Sequence, residues 1–323
     1  MSAEKPVSGI AICVYGLTDI GAVRQSNEDA FLVAELATGR IELTADVLRH
    51  AVSERGTLLL VSDGMGGAEA GEVASRMVAQ HVSLELAATS LDYEPQEAIR
   101  TAVERANEAI WSEATTNPAR RGMGATLVAA WVRGTNAYVA SVGDSRLYLM
   151  RGGRMRQITR DQSMVETMVE AGALSREQAE KHPQRNMILQ AMGANPNVVV
   201  ALERVELRRG DVLVLCSDGL SGKVIAEEMR DAILMTPDLE QACRSLVALA
   251  KDRGGEDNIT VVLGELDGEG LPAAPRGERL TRTLQLVTRF DFKAGSGYAA
   301  APEPNPTIPL GSPAPRGKDG EDE

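Results

Sequence analysis

The chain has 323 residues, 43% of them hydrophobic but only 3% aromatic, and a formal net charge of −12. That hydrophobic fraction supports a real core, built mainly of Val, Leu, Ala and Met because aromatics are scarce. The acidity argues against a nucleic-acid surface, which needs a basic face.

Apolar runs of β type come first, at residues 10–17, 30–36 and 57–61, with an insertion at 37–56 in which residues 45–53 are assigned a short helix. Two helices follow, over residues 68–88 and 95–114. The first carries Ala70, Val73, Met77, His81 and Leu84 on one stripe. The second has Pro95 in its first turn and the stripe Ile99, Val103, Ala106 and Ile110. Further strands are expected at 126–132, 137–142 and 146–150. Residues 161–197 interrupt the series with short helices, one opened by the capping box Ser175-Arg176-Glu177-Gln178, and read as a flap. Strands at 198–205, 212–216 and 259–263 enclose two helices at 221–234 and 239–253. Arg151-Gly152-Gly153 and Arg209-Gly210-Asp211 are taken as hairpin turns.

Strands in two blocks with helix pairs between them imply an α+β fold. Two packed, mainly antiparallel sheets are flanked by helix pairs in an α/β/β/α sandwich. This domain is assigned to residues 8–266. The remaining 57 residues, 267–323, hold 8 of the 14 prolines and read as a mostly disordered tail, although the apolar residues between Leu280 and Phe292 are a candidate docking segment. The scattered Cys13, Cys216 and Cys243 lack metal or disulfide spacing, and Cys216 is expected to be buried and inert. No apolar signal-peptide core opens the chain, and no run reaches the roughly 18–20 residues of a membrane span. A cytoplasmic monomer is expected, without nucleic-acid or membrane partners.

Acidic residues recur at the strand ends. They stand in Asn27-Glu28-Asp29, Ser62-Asp63-Gly64, Gly143-Asp144-Ser145-Arg146, Ser217-Asp218-Gly219 and Asp257-Asn258. Carboxylates so far apart in sequence are costly to gather unless a cation cancels their charge, and hard oxygen donors favour Mg²⁺ or Mn²⁺. Taken singly, an aspartate before glycine is a turn former, Arg24 is a surface charge and Asp144 is a hairpin cap. Three histidines give little support to a His-based metal site or a Ser-His-Asp triad.

The stretch from Thr18 through Arg24 to Asp29, together with Asp63-Gly64-Met65-Gly66-Gly67, Gly124-Ala125-Thr126, Gly143-Asp144-Ser145-Arg146, Ser217-Asp218-Gly219 and Asp257-Asn258-Ile259-Thr260, resembles the motif set of metal-dependent protein Ser/Thr phosphatases of type 2C, in their bacterial form. One D-G-x-G-G is weak evidence; six motifs in the family's order are strong. The resemblance implies hydrolysis of protein phosphoserine and phosphothreonine at a centre of two Mn²⁺ or Mg²⁺ ions, where an activated water attacks phosphorus in line. It implies that Asp63 bridges the ions, Asp218 and Asp257 complete one, and Glu28 with the Gly64 carbonyl serves the other. Gly64 suits that role through a sharp turn and close backbone approach. Arg24 is implied to hold the phosphate, and Asp29 to orient ligands or waters from behind. Asp144, with Asp218, is implied to hold a weaker third ion. The expected partners are Ser/Thr-phosphorylated proteins, a cognate Ser/Thr kinase or its substrates, in signalling that the enzyme reverses. Where eukaryotic members often carry His, this chain has Met65, which cannot donate a proton; a water is then the first candidate acid and His182 a weaker one. The competing readings are a catalytically dead binding module, disfavoured because Glu28, Asp63, Asp218 and Asp257 all remain, and a two-metal nuclease, disfavoured by charge.

Overall fold

The computed structural model describes residues 6–42, 47–275, 277, 278, 280 and 284–288. The first half contains β1 (Pro6–Asp19), β2 (Ala30–Glu35), β3 (Arg40–Glu42), β4 (Leu48–Ser53), β5 (Thr57–Ser62), β6 (Gly64–Met65), α1 (Ala68–Ala88) and α2 (Pro95–Thr116). Next come β7 (Gly124–Ala125), β8 (Leu127–Arg133), β9 (Asn136–Val142), β10 (Arg146–Arg151), β11 (Arg154–Gln157), α3 (Met164–Glu170) and α4 (Arg176–Glu180). The last part holds β12 (Ala201–Glu206), β13 (Val212–Cys216), α5 (Asp218–Ser221), α6 (Ala226–Met235), α7 (Leu239–Asp252), β14 (Ile259–Asp267) and β15 (Leu284–Thr288).

Two sheets pack face to face, one in the order β11-β10-β13-β14-β1-β4 and the other β15-β12-β9-β8-β5-β2-β3. Their strand pairs are antiparallel. Between them lies an apolar layer that includes Ile12, Val14, Leu59, Val61, Val139, Leu147, Leu213 and Val262. α1 and α2 cover the outer face of the second sheet, and α6 and α7 cover the first. Central strands are therefore buried on both faces: every residue of β5 and of β13 is buried, which is why these runs are continuously apolar rather than alternating. The structure is the α/β/β/α sandwich expected from the strand and helix blocks.

Some local assignments differ. Residues 48–53 form β4, not a helix, because they pair with β1. Residues 43–46 lie outside the described set. On α1 the most buried stripe is Ala70, Ala74, Val78, Val82 and Leu86; of the expected stripe, Ala70 is buried, Val73 and Met77 pack half-buried at its edge, and Leu84 is 62% exposed. The buried face packs against both the sheet and α2. The stripe expected on α2 is buried as read. The helix expected at 221–234 is broken after Ser221; the Ile225 amide donates to the Glu228 side chain at 3.2 Å and starts α6 afresh. Arg209-Gly210-Asp211 is not a hairpin turn, since β12 and β13 belong to different sheets. It carries the chain across the sandwich, and buried Asp211 anchors the crossing through a paired contact with Arg151 at 2.7 and 2.6 Å.

The packed body continues beyond β14. Leu271 and Leu280 are 1% and 8% exposed in the layer between the sheets, Glu278 pairs with Arg151 and Arg208, and β15 adds to the edge of β12. Most of the expected tail lies outside the described residues.

Candidate active site

The acidic motifs gather at one end of the sandwich because their strands are neighbours. Glu28 and Asp29 precede β2, and Asp63 follows β5, its partner in the second sheet. Asp218 and Asp257 flank β13 and β14, which pair in the first sheet. Asp144 sits in the turn from β9 to β10, where the chain passes from one sheet to the other.

Backbone and amide contacts fix these loops. The Asn258 side chain accepts from the Glu28 amide at 2.9 Å and donates to the Ile20 and Ser26 carbonyls. The Glu28 carbonyl accepts from the Gly64 amide at 3.1 Å and from the Ser75 hydroxyl at 2.6 Å, tying the loop before β2 to the Asp63 loop and to α1. The Asp63 amide donates to Thr126 Oγ1 at 3.0 Å, and the Asp63 carbonyl accepts from the Thr126 amide at 2.8 Å. Asp29 Oδ2 accepts from the Ser217 and Thr260 hydroxyls at 2.8 and 2.6 Å. Because Thr260 donates to Asp29, Thr18 must donate to Thr260, and Thr18 in turn accepts from Asn27. The hydroxyl chain thus has one direction and aims Asp29 into the cluster.

Gly64 needs no positive φ; a Cβ there would meet the carbonyl oxygens of Gly71 and Glu28 at 2.2 and 2.5 Å. The expected sharp turn is therefore not its reason. Gly64 is glycine because three backbone segments converge on it. Gly71, in the first turns of α1, is similar: a Cβ would lie 1.9 Å from Glu28 Oε2.

The charges are strained. Burial raises the Asp63 and Asp144 carboxyls well above the usual range, and neighbouring aspartates raise them further. Asp218 is raised by burial and by Asp257, and its carboxyl comes within hydrogen-bonding range of Asp63. Burial lifts Asp29 to about 7 against the pull of its two hydroxyl donors, and burial raises Glu28. Asp29 Oδ1 and Asp218 Oδ1 are buried without a hydrogen-bond partner. Oxygen donors that repel one another and lack protein partners fit a hard divalent cation. Among the described residues, no three His, Cys, Asp or Glu side chains are arranged closely enough to hold a metal ion as they stand. Arg24 Nη2 pairs with Asp257 Oδ2 at 2.8 Å. That hydrogen bond is the main cause of the raised Arg24 pKa.

A family described as Protein phosphatase 2C matches residues 40–260. The chain is also 35% identical over 251 residues to the Serine/threonine phosphatase stp of Listeria welshimeri, covering 77% of this chain and 93% of that protein. The chain belongs to the protein phosphatase 2C family. It is a metal-dependent protein phosphatase of the bacterial form. The crystal structure of the Mycobacterium tuberculosis serine/threonine phosphatase PstP/Ppp is similar, with a TM-score of 0.68, 34% identity, and coverage of 80% of this chain and 99% of that one. A crystal structure of the PstP catalytic domain in complex with 2 manganese ions gives a TM-score of 0.66 at 32% identity, covering 80% of this chain and 99% of that chain. The family match spans Asp63, Gly64, Asp144, Asp218 and Asp257; Arg24, Glu28 and Asp29 precede it.

Sequence reasoning missed the residues that hold the ends of segment 161–197, read from the sequence as a flap. Gln162 Oε1 accepts from the Gly143 amide at 2.7 Å and from Gln190 at 3.0 Å. Gln190 also pairs through both ends of its amide with the Val199 backbone. These buried amides clamp the two ends of the flap to each other and to the Asp144 turn. Further along, Asn107 of α2 accepts from the Gly193 amide and donates to the Asn195 and Pro196 carbonyls, and Met192 bridges to Ala125 beside the Asp63 loop. Glutamine and asparagine carry no motif, so only their burial identifies them. Arg146 reaches Asp161 at the flap entrance with contacts of 2.6–3.1 Å. In the flap, His182 Nδ1 accepts from the Gln184 amide at 3.2 Å. Cys216 is buried and its thiol is pushed up to about 12 by desolvation, which keeps it inert.

Proposed function

We propose that this phosphatase hydrolyses phosphoserine and phosphothreonine in proteins, with two Mn²⁺ or Mg²⁺ ions held by the strand-end carboxylates. One observation carries the reading: Asp63, Asp144 and Asp218 stand half-buried in one cluster, desolvation and neighbouring carboxylates push their carboxyls up, and one Asp218 oxygen is buried with no protein partner. In this reading Asp63 would be shared by the two ions, Asp218 and Asp257 would help hold one, and Glu28 with the Gly64 carbonyl would help hold the other. Asp144 and Asp218 offer a weaker third site. When bound, such ions lower the pKa of water and neutralise phosphate charge.

The chain's own groups do the rest. Arg24 stands at the rim, 48% exposed at its side chain and beside Asp257, where its planar fork suits two phosphate oxygens. Asp29 is fixed by Ser217 and Thr260 and turns its unpartnered oxygen to orient a ligand or a water. Met65 has no proton to give, so protonation of the leaving seryl or threonyl oxygen falls to a water. The flap clamp fixes one wall of the cleft. Partners are phosphorylated proteins and a cognate kinase or its substrates, acting in the cytoplasm on a monomeric enzyme. Among the described residues, no helix is long and apolar enough to cross a membrane.

The test is phosphate release from a phosphothreonine peptide with Mn²⁺, with Mg²⁺ and with chelator. Release that needs the metal and stops with chelator supports the reading. No release by folded protein across both metals and several peptides overturns it.

A further inference from the structure

A cavity of about 750 Å³ opens beside the Asp63 loop, within the range of ligand sites. Its walls come from four places. They are the last turns of α2 with Trp111, the turn carrying Arg121, the Met65–Gly124 ladder, and the end of the flap at Gly193 and Ala194. The walls are built rather than incidental. Met123 is 1% exposed. Gly193 has φ 78°, and a Cβ there would lie 2.3 Å from Ile110 Cγ2. Gly66 has φ 118°, and a Cβ there would lie 2.8 Å from the Gly122 carbonyl oxygen. Asn107 and the Ala125–Met192 bridge pin the flap end in place.

Two features of the lining point to a ligand. Trp111 is half-buried against the cavity and stacks on no other ring among the described residues. Arg121 is exposed at the mouth and makes no ion pair among the described residues, whereas adjacent Arg120 is held by Glu113 at 2.7 Å. The Arg121 guanidinium is therefore free to meet an anion at the cavity mouth.

Resting on the phosphatase reading above, we propose that this cavity is a substrate subsite. It takes a residue of the phosphoprotein near the one being hydrolysed, with an anionic head on Arg121 and its apolar stem against Trp111 and Met65. The anion is a carboxylate or a second phosphoryl group, which share the planar or tripodal oxygens that a guanidinium recognises. Continuity with the reaction centre through Met65 and Gly124 places the subsite along the path of the substrate chain, and charge complementarity selects its occupant. A small phosphoester such as p-nitrophenyl phosphate carries no second anionic group to meet Arg121.

The experiment uses the full chain and a set of phosphothreonine peptides in which one Ala is replaced by Asp or by phosphothreonine at successive positions on either side. Values of kcat/KM are compared for wild type, Arg121→Ala and Arg121→Glu, with p-nitrophenyl phosphate as control. The expected result is a preference of about tenfold for an anion at one offset, lost in Arg121→Ala and reversed in Arg121→Glu, with the control changed less than twofold. A carboxylate source predicts equal gains from Asp and phosphothreonine; a phosphoryl source predicts a gain from phosphothreonine alone. A wild type indifferent to the anion at every offset, or an Arg121→Ala variant that keeps the preference, overturns the subsite. Activity on the control and on the parent peptide persists in either case, so failure of the subsite is distinct from failure of the phosphatase reading.

Discussion

Asp29 and Glu203 are both buried acids, yet the fold treats them differently. Asp29 is met by two hydroxyl donors and lies among other carboxylates, the setting of a working group. Glu203 lies on β12, 3% exposed, with Oε2 unpartnered, and desolvation alone raises it from 4.5 to about 8. A carboxyl whose folded pKa exceeds its unfolded one makes the folded state bind the extra proton. Stability therefore falls as pH rises from about 4.5 to about 8. Glu203→Gln removes that dependence. Urea midpoints should coincide for variant and wild type near pH 4.5, and the variant should gain up to about 1.4 kcal/mol per pH unit above it. A constant difference across pH would contradict the burial argument.

At the scale of elements, α1 is more than a cover for its sheet. Its early turns carry Gly71, which makes room for the Glu28 carboxylate, and Ser75, which donates to the Glu28 carbonyl. Gly71→Ala favours the helix by about 1 kcal/mol, but its Cβ would displace the Glu28 carboxylate and crowd the Gly64 backbone at 3.0 Å. Calorimetry should find Mn²⁺ binding weakened by about tenfold or more in a variant that circular dichroism shows to be folded; unchanged affinity would sever α1 from the site. The same helix marks what sequence could and could not reveal. Its span was legible from its periodicity, but the centre of its buried face was placed one side too far, because Val73 and Met77 flank Ala74 and Val78 and only packing against the sheet separates them. β4 was read as helix for a related reason: its partner, β1, lies more than thirty residues away, and pairing overrides local propensity. The strand-end aspartates were legible because glycine and asparagine surround them in motifs. Gln162, Gln190 and Asn107 were not, since their role exists only once the flap is folded.

For the whole molecule, the sandwich is closed by residues after its last central strand. Leu271 and Leu280 fill the layer between the sheets, and Glu278 completes the Arg151–Asp211–Arg208 network. Composition favoured a boundary near residue 266 because prolines begin soon afterwards, and composition is blind to single anchoring leucines. A chain ended after Asp267 should lose about 3–5 kcal/mol, from two buried leucines, relative to one ended after Phe290. Equal urea midpoints would mean that the anchors are ornamental.

The central claim is that the crowded, mutually repelling carboxylates are held together by divalent cations. Titration calorimetry of Mn²⁺ into wild type and Asp63→Asn, with circular dichroism to verify folding, tests it most directly. The account predicts two tight equivalents in wild type, and in the folded variant a loss of affinity of at least about 100-fold. Wild-type binding by Asp63→Asn would contradict it.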